Sequence, residues 1–502
     1  MQINIETFQQ RQAYFSKIQT NVEREQLYTI KYLDFGIKVI RVLCYTREIV
    51  LFLEQQLPFV LKNEANHFDG TIVFWKVVDI KNFVCQMDQR FNPKVNLRLR
   101  VDMLLAGHQY PDIVVMDQKF SESVPIIRFS PSEGLIEAYD IDRHCCYYAV
   151  DNLEPEEFIK HGHLFIQQLN VLLKSDSVGL THGAVFGYGG QGALLCARGQ
   201  RGKSTLTVHS LLNGCEYVSD DYQLLEKRQK NLYAYPLYSI ITLSPKMYEQ
   251  MYDTFDGKFC SNNARKDKYV FNISKYHSQF KTCYLIKLCL FPEIVSDKEP
   301  NIVPCSPMDK GRAIVQFIHS TVMQMRDLND HDTIKKLFDM VVDLPFYKFN
   351  LCSDIPKNTK FLHDFLNAKQ FCPIHDELPR FLVDITFGLA NILDTKTNTF
   401  YSMNESATYL YQLLLSGIDL NQIQKKILSV TKDFFVDEFK RFAWALKQEN
   451  LLSAQIENNG QKKGLDIDFI KKFGYNLSLL KYDANSTQDL MTERRKNDNL
   501  CT

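Results

Sequence analysis

Residues 196–205 read Cys196-Ala-Arg-Gly-Gln-Arg-Gly-Lys-Ser-Thr205. The second half, Gly202-Lys203-Ser204, meets the phosphate-binding loop pattern G-x-x-x-x-G-K-[ST], and Ala197 stands where its first glycine belongs. A loop that opens a helix offers several free N–H groups to a phosphate. Gly199 and Gly202 let the backbone come close, Lys203 can reach β- and γ-phosphate oxygens, and the Ser204 hydroxyl can ligate Mg2+. Ala197, Arg198, Gly199, Gln200, Arg201, Gly202, Lys203, Ser204 and Thr205 are therefore the candidate nucleotide contacts. Alanine accepts most loop conformations but not a strongly positive φ, so Ala197 bears on the loop's shape and not on Lys203.

Two carboxylates come next. Asp220 and Asp221 follow a short strand, Tyr217–Ser219. At the carboxyl end of a strand one carboxylate can hold Mg2+ and the other can take the proton from an attacking hydroxyl. Alone, such a pair reads more readily as a turn or a helix cap. His182, just ahead of Gly183, gains interest only from this company.

Elements must hold these residues in place. Tyr28–Leu33, Ile37–Tyr45, Thr71–Val78 and Ile126–Phe129 are β-branched or aromatic runs, and Leu135–Tyr139 with Cys145–Val150 make a hairpin. A helix starts at Glu154-Pro155 and runs to about Leu173. Gly183–Tyr188 and Ala193–Ala197 are strands around a glycine turn, and Lys203–Leu212 is the helix behind the loop. Arg312–Met325 and Thr333–Met340 are helices, and 345–351 is a late strand. Further on, Phe381–Phe387, Ala390–Leu393 and Thr399–Ser402 read as strands. Helices follow at Glu405–Leu415, Leu420–Ser429 and Val436–Asn450, with Asn404 as a cap and Gly417 as a stop. Phe434, Phe435, Phe439, Phe442 and Trp444 read as core. The fold class is α/β and multidomain: 1–153 β-rich, 154–370 around the loop, 371–455 a smaller unit, and 456–502 a polar, largely disordered tail.

Composition narrows the function. Among 502 residues, 59 Lys plus Arg balance 59 Asp plus Glu, which argues against a general nucleic-acid binder. No apolar run reaches the ~18–20 residues of a membrane span, and the polar start is no secretory signal. The 13 cysteines are scattered without a CxxC pair, so they read as thiols of a reducing cytosol, and a structural zinc site is not expected. The expected location is cytoplasmic.

The order His182-Gly183-Ala-Val, glycine turn, phosphate loop, Val218-Ser219-Asp220-Asp221 resembles the catalytic core of HPr kinase/phosphorylase. The resemblance covers roughly 166–370 and is strongest at 181–222. It implies a mixed sheet with flanking helices, with ATP and Mg2+ as cofactors. Lys203 would bind phosphates, Ser204 and Asp220 would serve the metal, Asp221 would accept the proton, and His182 would lie beside the phosphoryl group. The family's second signature is not recognisable. Arg265, Lys266 and Lys268 are substitute phosphate-clamp candidates, and a solvated charge run is the other reading.

Residues 376–453 resemble PqqD, the peptide-recognition element of ribosomal peptide modification, through Leu382-Val-Asp, Ile392-Leu-Asp-Thr, Phe400-Tyr-Ser-Met-Asn-Glu-Ser-Ala407 and Leu413-Leu-Leu-Ser-Gly417. This implies a winged-helix-like unit of three strands and three helices. Its open edge strand would take an extended leader peptide as partner. A DNA-reading winged helix would need a more basic helix than Lys425-Lys426 supplies. Together these imply a kinase that phosphorylates a hydroxyl, foremost serine, of a precursor peptide. A nucleotide-gated peptide chaperone and a small-molecule kinase stay open, as does a homo-oligomer.

Overall fold

The computed structural model describes residues 16, 18–20, 22–77, 114–115, 126–130, 135–140, 143–150, 163–197, 201–249, 258–260, 268–295, 299–325, 331–368, 371, 377–386, 388–428, 433–454, 477, 479–483 and 486–489. The first part of the chain forms an eight-stranded sheet. Its order is Leu61–Lys62, Thr29–Asp34, Val39–Cys44, Gly70–Lys76, Cys145–Val150, Leu135–Asp140, Ile126–Ser130, Val114–Val115. The helix Arg47–Gln56 starts where the Thr46 side chain accepts from the Ile49 N–H, and it buries Ile49, Phe52 and Leu53. These residues share one core with Phe165, Leu169, Leu180, Leu224 and Tyr235 from beyond residue 153. Glu154–Glu157, where a helix was expected to start, lie outside the described residues, and the helix described there is α1, Ile166–Leu173.

The central sheet holds β1 (Val178–His182), β2 (Ala184–Tyr188), β3 (Gln191–Leu195), β4 (Glu216–Ser219), β5 (Tyr222–Arg228), β6 (Asn231–Pro236), β7 (Tyr284–Ile294), β8 (Asn301–Pro304) and β9 (Phe346–Leu351). Its helices are α2 (Lys203–Leu212), α3 (Pro307–Met325), α4 (His331–Val341) and α5 (Ile355–Asn367). The strand order is β4-β2-β3-β7-β6-β5-β1, with β9 paired to β7 and β8. β2 is antiparallel to both β3 and β4, while β7 is parallel to β3 and to β9. Hence β3, β4, β7 and β9 all point one way, and their carboxyl ends share one end of the sheet.

The sheet also curls back on itself. β1 joins β2 through Gly183 alone, and β4 joins β5 through Asp220-Asp221, although each pair lies at opposite ends of the strand order. The two crossings touch, since the Gly183 N–H donates to the Asp221 carbonyl at 2.9 Å.

The C-terminal part forms β10 (Phe381–Thr386), β11 (Leu389–Asp394) and β12 (Thr399–Met403), then α6 (Glu405–Leu415), α7 (Leu420–Leu428) and α8 (Asp433–Gln448). Asn404 caps α6 by accepting from the Ala407 N–H at 3.0 Å, and Gly417 after it takes φ +80. The sheet does not stop at three strands. β13 (Leu479–Asp483) pairs with β12, and β14 (Ser486–Asp489) pairs with β13. The expectation of a largely disordered tail therefore fails for these strands, because Leu477 and Leu479 are buried in the core of this unit. The remaining residues of 456–502 lie outside the described residues. An edge strand was expected to be open: β12 is covered by β13, while β10 stays at the edge of the sheet order.

Alternation gives this sheet two covered faces. Phe381, Ala390, Ile392, Tyr401 and Met403 pack with Leu410, Phe439 and Phe442 of its own helices. Leu382, Leu393 and Phe400 pack with Ala313, Ile314 and Phe317 of α3. A Cβ on Gly311 would sit 3.2 Å from Leu382, so α3 lies close upon β10. Gln316 donates to Asp384 at 2.9 Å across the same contact. Trp444, expected in the core, is 46% exposed. Among the described residues no helix is long and apolar enough to cross a membrane.

Candidate functional site

The phosphate loop leaves β3 at the shared carboxyl end of the sheet. The Cys196 N–H still donates to the Leu290 carbonyl at 2.9 Å, so sheet pairing runs up to the loop. Ala197 is buried and does not take a positive φ, so alanine there carries no backbone strain. Arg198, Gly199 and Gln200 lie outside the described residues. Gly202 takes φ +81, a conformation open to glycine, and so turns the chain into α2. Gly202 at the N-cap has no side chain to cap the first turn of α2, so N–H groups of that turn can face water or an anion. Leu206, Val208 and Leu211 bury the other face of the helix. Lys203 is buried, while Arg201, Ser204 and Thr205 are half-buried.

Asp220 and Asp221 sit at the end of β4, on the same side of the sheet. Asp220 is only 2% exposed. Burial pushes the neighbouring Tyr217 hydroxyl far above its ordinary pKa, and the charges of Asp220 and Asp221 push the same way. His182 ends β1 opposite Tyr222, so the second crossing carries it to the aspartates. Its Nε2 lies 3.9 Å from an Asp221 carboxylate oxygen. The other Asp221 oxygen lies 3.9 Å from His163 Nε2, which sequence reading missed. His163 stands between the rings of Tyr222 and Tyr238, each 4.6 Å away centre to centre. The next residue is tied down twice: the Leu164 N–H donates to Gln56, and the Tyr238 hydroxyl donates to the Leu164 carbonyl at 2.6 Å. Gln56 ends the helix of the N-terminal part, so that part positions one wall of the site.

A buried polar chain fixes the crossing itself. Ser219 donates to Gln223 Oε1 at 2.6 Å, and Gln223 Nε2 donates to Thr181 at 2.8 Å. All three are buried, and a satisfied network of this kind holds its members in one arrangement. Thr321 of α3 accepts the His182 backbone N–H at 3.0 Å. A Cβ on Gly183 would stand 3.1 Å from the Leu195 carbonyl and 3.2 Å from Gln223, which explains the glycine.

Beside the loop lies a second charged group that sequence reading also missed. Glu293 near the end of β7 meets Lys348 at 2.8 Å and Arg312 at 3.3 Å, and Arg312 meets Asp309 at 3.5 Å. Burial opposes the charge on Glu293, yet Lys348, Arg312 and Arg201 together hold its carboxyl below the ordinary range. An acid near the end of an apolar strand was the available signal. The clamp candidates are not brought here on any described contact. Arg265 and Lys266 lie outside the described residues, and Lys268 opens the strand Lys268–Asn272 of a separate three-stranded sheet.

The donor set suits a hard cation. The Ser204 hydroxyl and Asp220 carboxylate are oxygen ligands of the kind Mg2+ takes alongside phosphates and water. Among the described residues no group of three or more His, Cys, Asp or Glu could hold a metal. Two protein oxygens would leave the remaining positions of such a cation to phosphate and water.

No family model matches the chain, and no curated protein matches it. Among solved structures, the HPr(Ser) kinase/phosphatase from Coxiella burnetii is similar over 38% of this chain and 97% of that one, at 10% identity and a TM-score of 0.21. A superposition that loose transfers neither a mechanism nor a residue role. The site stands on its own geometry.

Proposed function

We propose that the chain is an ATP-dependent phosphotransferase acting on a hydroxyl, foremost serine, of a ribosomally made precursor peptide. One observation carries this reading: the uncapped start of α2 with Lys203 and Ser204, the pair Asp220-Asp221, and His182 all lie at one end of one sheet. The N–H groups of α2 and Lys203 would cradle the phosphates of ATP. Ser204 and Asp220 would hold Mg2+, which draws off negative charge from the phosphates when bound. Asp221 would accept the proton of the peptide hydroxyl as its oxygen bonds to the γ-phosphorus. The bond from that phosphorus to the β–γ bridging oxygen breaks, and ADP leaves. His182 and His163 flank Asp221 and would keep its carboxylate aimed at the acceptor.

The C-terminal unit, which resembles PqqD in sequence, would hold the peptide, and holding it raises the effective concentration of the acceptor. The test is transfer of label from γ-labelled ATP to peptides encoded by short reading frames beside the gene. Wild type should label such a peptide at least ~100-fold faster than Lys203→Ala, the scale of losing one preorganised electrostatic contact. Equal labelling refutes the proposal. ATP and peptide binding without transfer would favour a nucleotide-gated chaperone.

A further inference from the structure

The helix Arg47–Gln56 of the N-terminal part ends against the segment that carries His163, and the contact is a closed ring of hydrogen bonds. The Leu164 N–H donates to Gln56 Oε1 at 3.2 Å, the Tyr238 hydroxyl donates to the Leu164 carbonyl at 2.6 Å, and the Ser239 N–H donates to the Gln56 carbonyl at 3.0 Å. We propose that Gln56 is a positioning residue: through a strained turn at 163–165 it sets the His163 imidazole against Asp221, which makes the N-terminal part a working component of the site. This rests on the phosphotransferase reading for what the contact between His163 and Asp221 does. It adds a residue, and a role for the N-terminal part, that the reading leaves out.

Three observations carry it. First, the ring joins three stretches of chain far apart in sequence, and its members Gln56, Leu164, Tyr238 and Ser239 are all buried. A buried network with its bonds made holds one arrangement, and a buried N–H that loses its acceptor is costly. Second, the turn needs holding. Phe165 takes φ +62 and ψ 17, a left-handed conformation that a bulky aromatic residue adopts only under constraint. Its ring is buried between those of Phe74 and Tyr148 of the N-terminal sheet, 5.1 and 5.0 Å away centre to centre. Such strain persists where the surroundings over-determine it, and it gathers at functional sites. Third, the residue just ahead of Leu164 is the one that faces the site. His163 Nε2 lies 3.9 Å from Asp221, and the Tyr238 ring, whose hydroxyl closes the ring of bonds, is also one wall around the imidazole. Loss of the Gln56 acceptor lets the turn relax toward ordinary backbone angles and takes His163 away from Asp221.

The test uses the full chain labelled with 15N at histidine. Among its 12 histidines, the His163 ring signal is the one absent from His163→Phe, a change that keeps a ring between Tyr222 and Tyr238. Gln56→Leu removes the acceptor and should shift the His163 signal as far as Asp221→Asn does. The signals of histidines remote from the site should stay in place, which reports an intact fold in the same spectrum. Tyr238→Phe opens the ring of bonds by the loss of one hydroxyl and should move the signal in the same direction, which keeps the test available should Gln56→Leu not fold. A His163 signal that both changes leave in place overturns the proposal. Kinetics supply a second arm through transfer from γ-labelled ATP to peptide. Gln56→Leu and His163→Phe should each lower kcat about 10- to 100-fold, the cost of misplacing a group by about an ångström, with KM for ATP unchanged. The double variant should be no slower than the slower single one, because both changes remove the same contact. Losses that multiply overturn the proposal, as does a raised KM for ATP with kcat unchanged. The two readings fail separately. A shifted signal with no transfer by wild type refutes the kinase and upholds the contact, whereas full activity of Gln56→Leu beside an active wild type refutes the positioning role alone.

Discussion

Asp221 is held between two imidazoles, each 3.9 Å from one of its oxygens. A carboxylate so placed can take a proton, the role proposed for it, and Asp221→Asn removes that ability without changing its shape. Peptide labelling should fall about 100- to 10,000-fold, the usual worth of a positioned base, while nucleotide binding by titration calorimetry stays near wild type. Unchanged labelling would remove Asp221 from the proposed base role. Gly183 belongs to the same scale. Gly183→Ala pushes a methyl toward the Leu195 carbonyl and Gln223, and should cost about 1–3 kcal/mol as overpacking does. Chemical denaturation reads this cost directly. The loop and the two aspartates could be singled out in the sequence because each is a contiguous run, and the structure places both at one end of the sheet. His163 was not, since a lone histidine is tied to Asp221 only by folding, through Leu164, Gln56 and Tyr238.

Between elements, the decisive feature is the pair of crossings at Gly183 and Asp220-Asp221. Single strands were readable from their apolar runs, and the bounds of α2 and α6 matched the caps and glycines in the sequence. That β1 and β5 stand far from β2 and β4 in strand order has no local signature, because pairing partners are set by the whole sheet. The charged group at the end of β7 lives on this scale too. Glu293 is held below the ordinary carboxyl value of 4.5 by Lys348, Arg312 and Arg201, against its burial. Its folded pKa thus lies below its unfolded one. The stability it adds is complete above the unfolded value and is lost as pH falls through the folded one. Glu293→Gln should lower the urea midpoint at pH 7, and the gap to wild type should close as pH falls below about 4.5. A gap that stays constant with pH would show that the ion pairs contribute nothing.

At the level of the whole molecule, the sequence suggested separable units and the packing joins them. Leu382, Leu393 and Phe400 are buried against α3, and each would expose apolar surface worth about 1.5–3 kcal/mol if the C-terminal unit were cut away. Residues 371–502 expressed alone should therefore lack sharp near-ultraviolet circular dichroism and bind hydrophobic dyes, whereas the full chain should melt in one transition. A crisp, cooperative melt of the fragment would contradict this. Such joining was illegible because a strand with two buried faces reads much like one with a single buried face over six residues. The strands β13 and β14 were hidden for a different reason: Leu477, Leu479 and Leu480 in a polar tail carry too little periodicity to announce a strand.

The helix α3 reaches every one of these parts. It sets Asp309 and Arg312 beside Glu293, lays Gly311 and Gln316 on β10, and accepts the His182 N–H through Thr321. Its 19 residues form a rod of about 28 Å, on which Gln316 and Thr321 stand about 7.5 Å apart, so a stiff span, and not a slack tether, joins β10 to His182. On the peptide-kinase reading, that fixed span would count along the peptide. Each residue of an extended chain adds at most about 3.3–3.6 Å, so a hydroxyl placed too near the segment held by the C-terminal unit would fall short, however well the peptide bound.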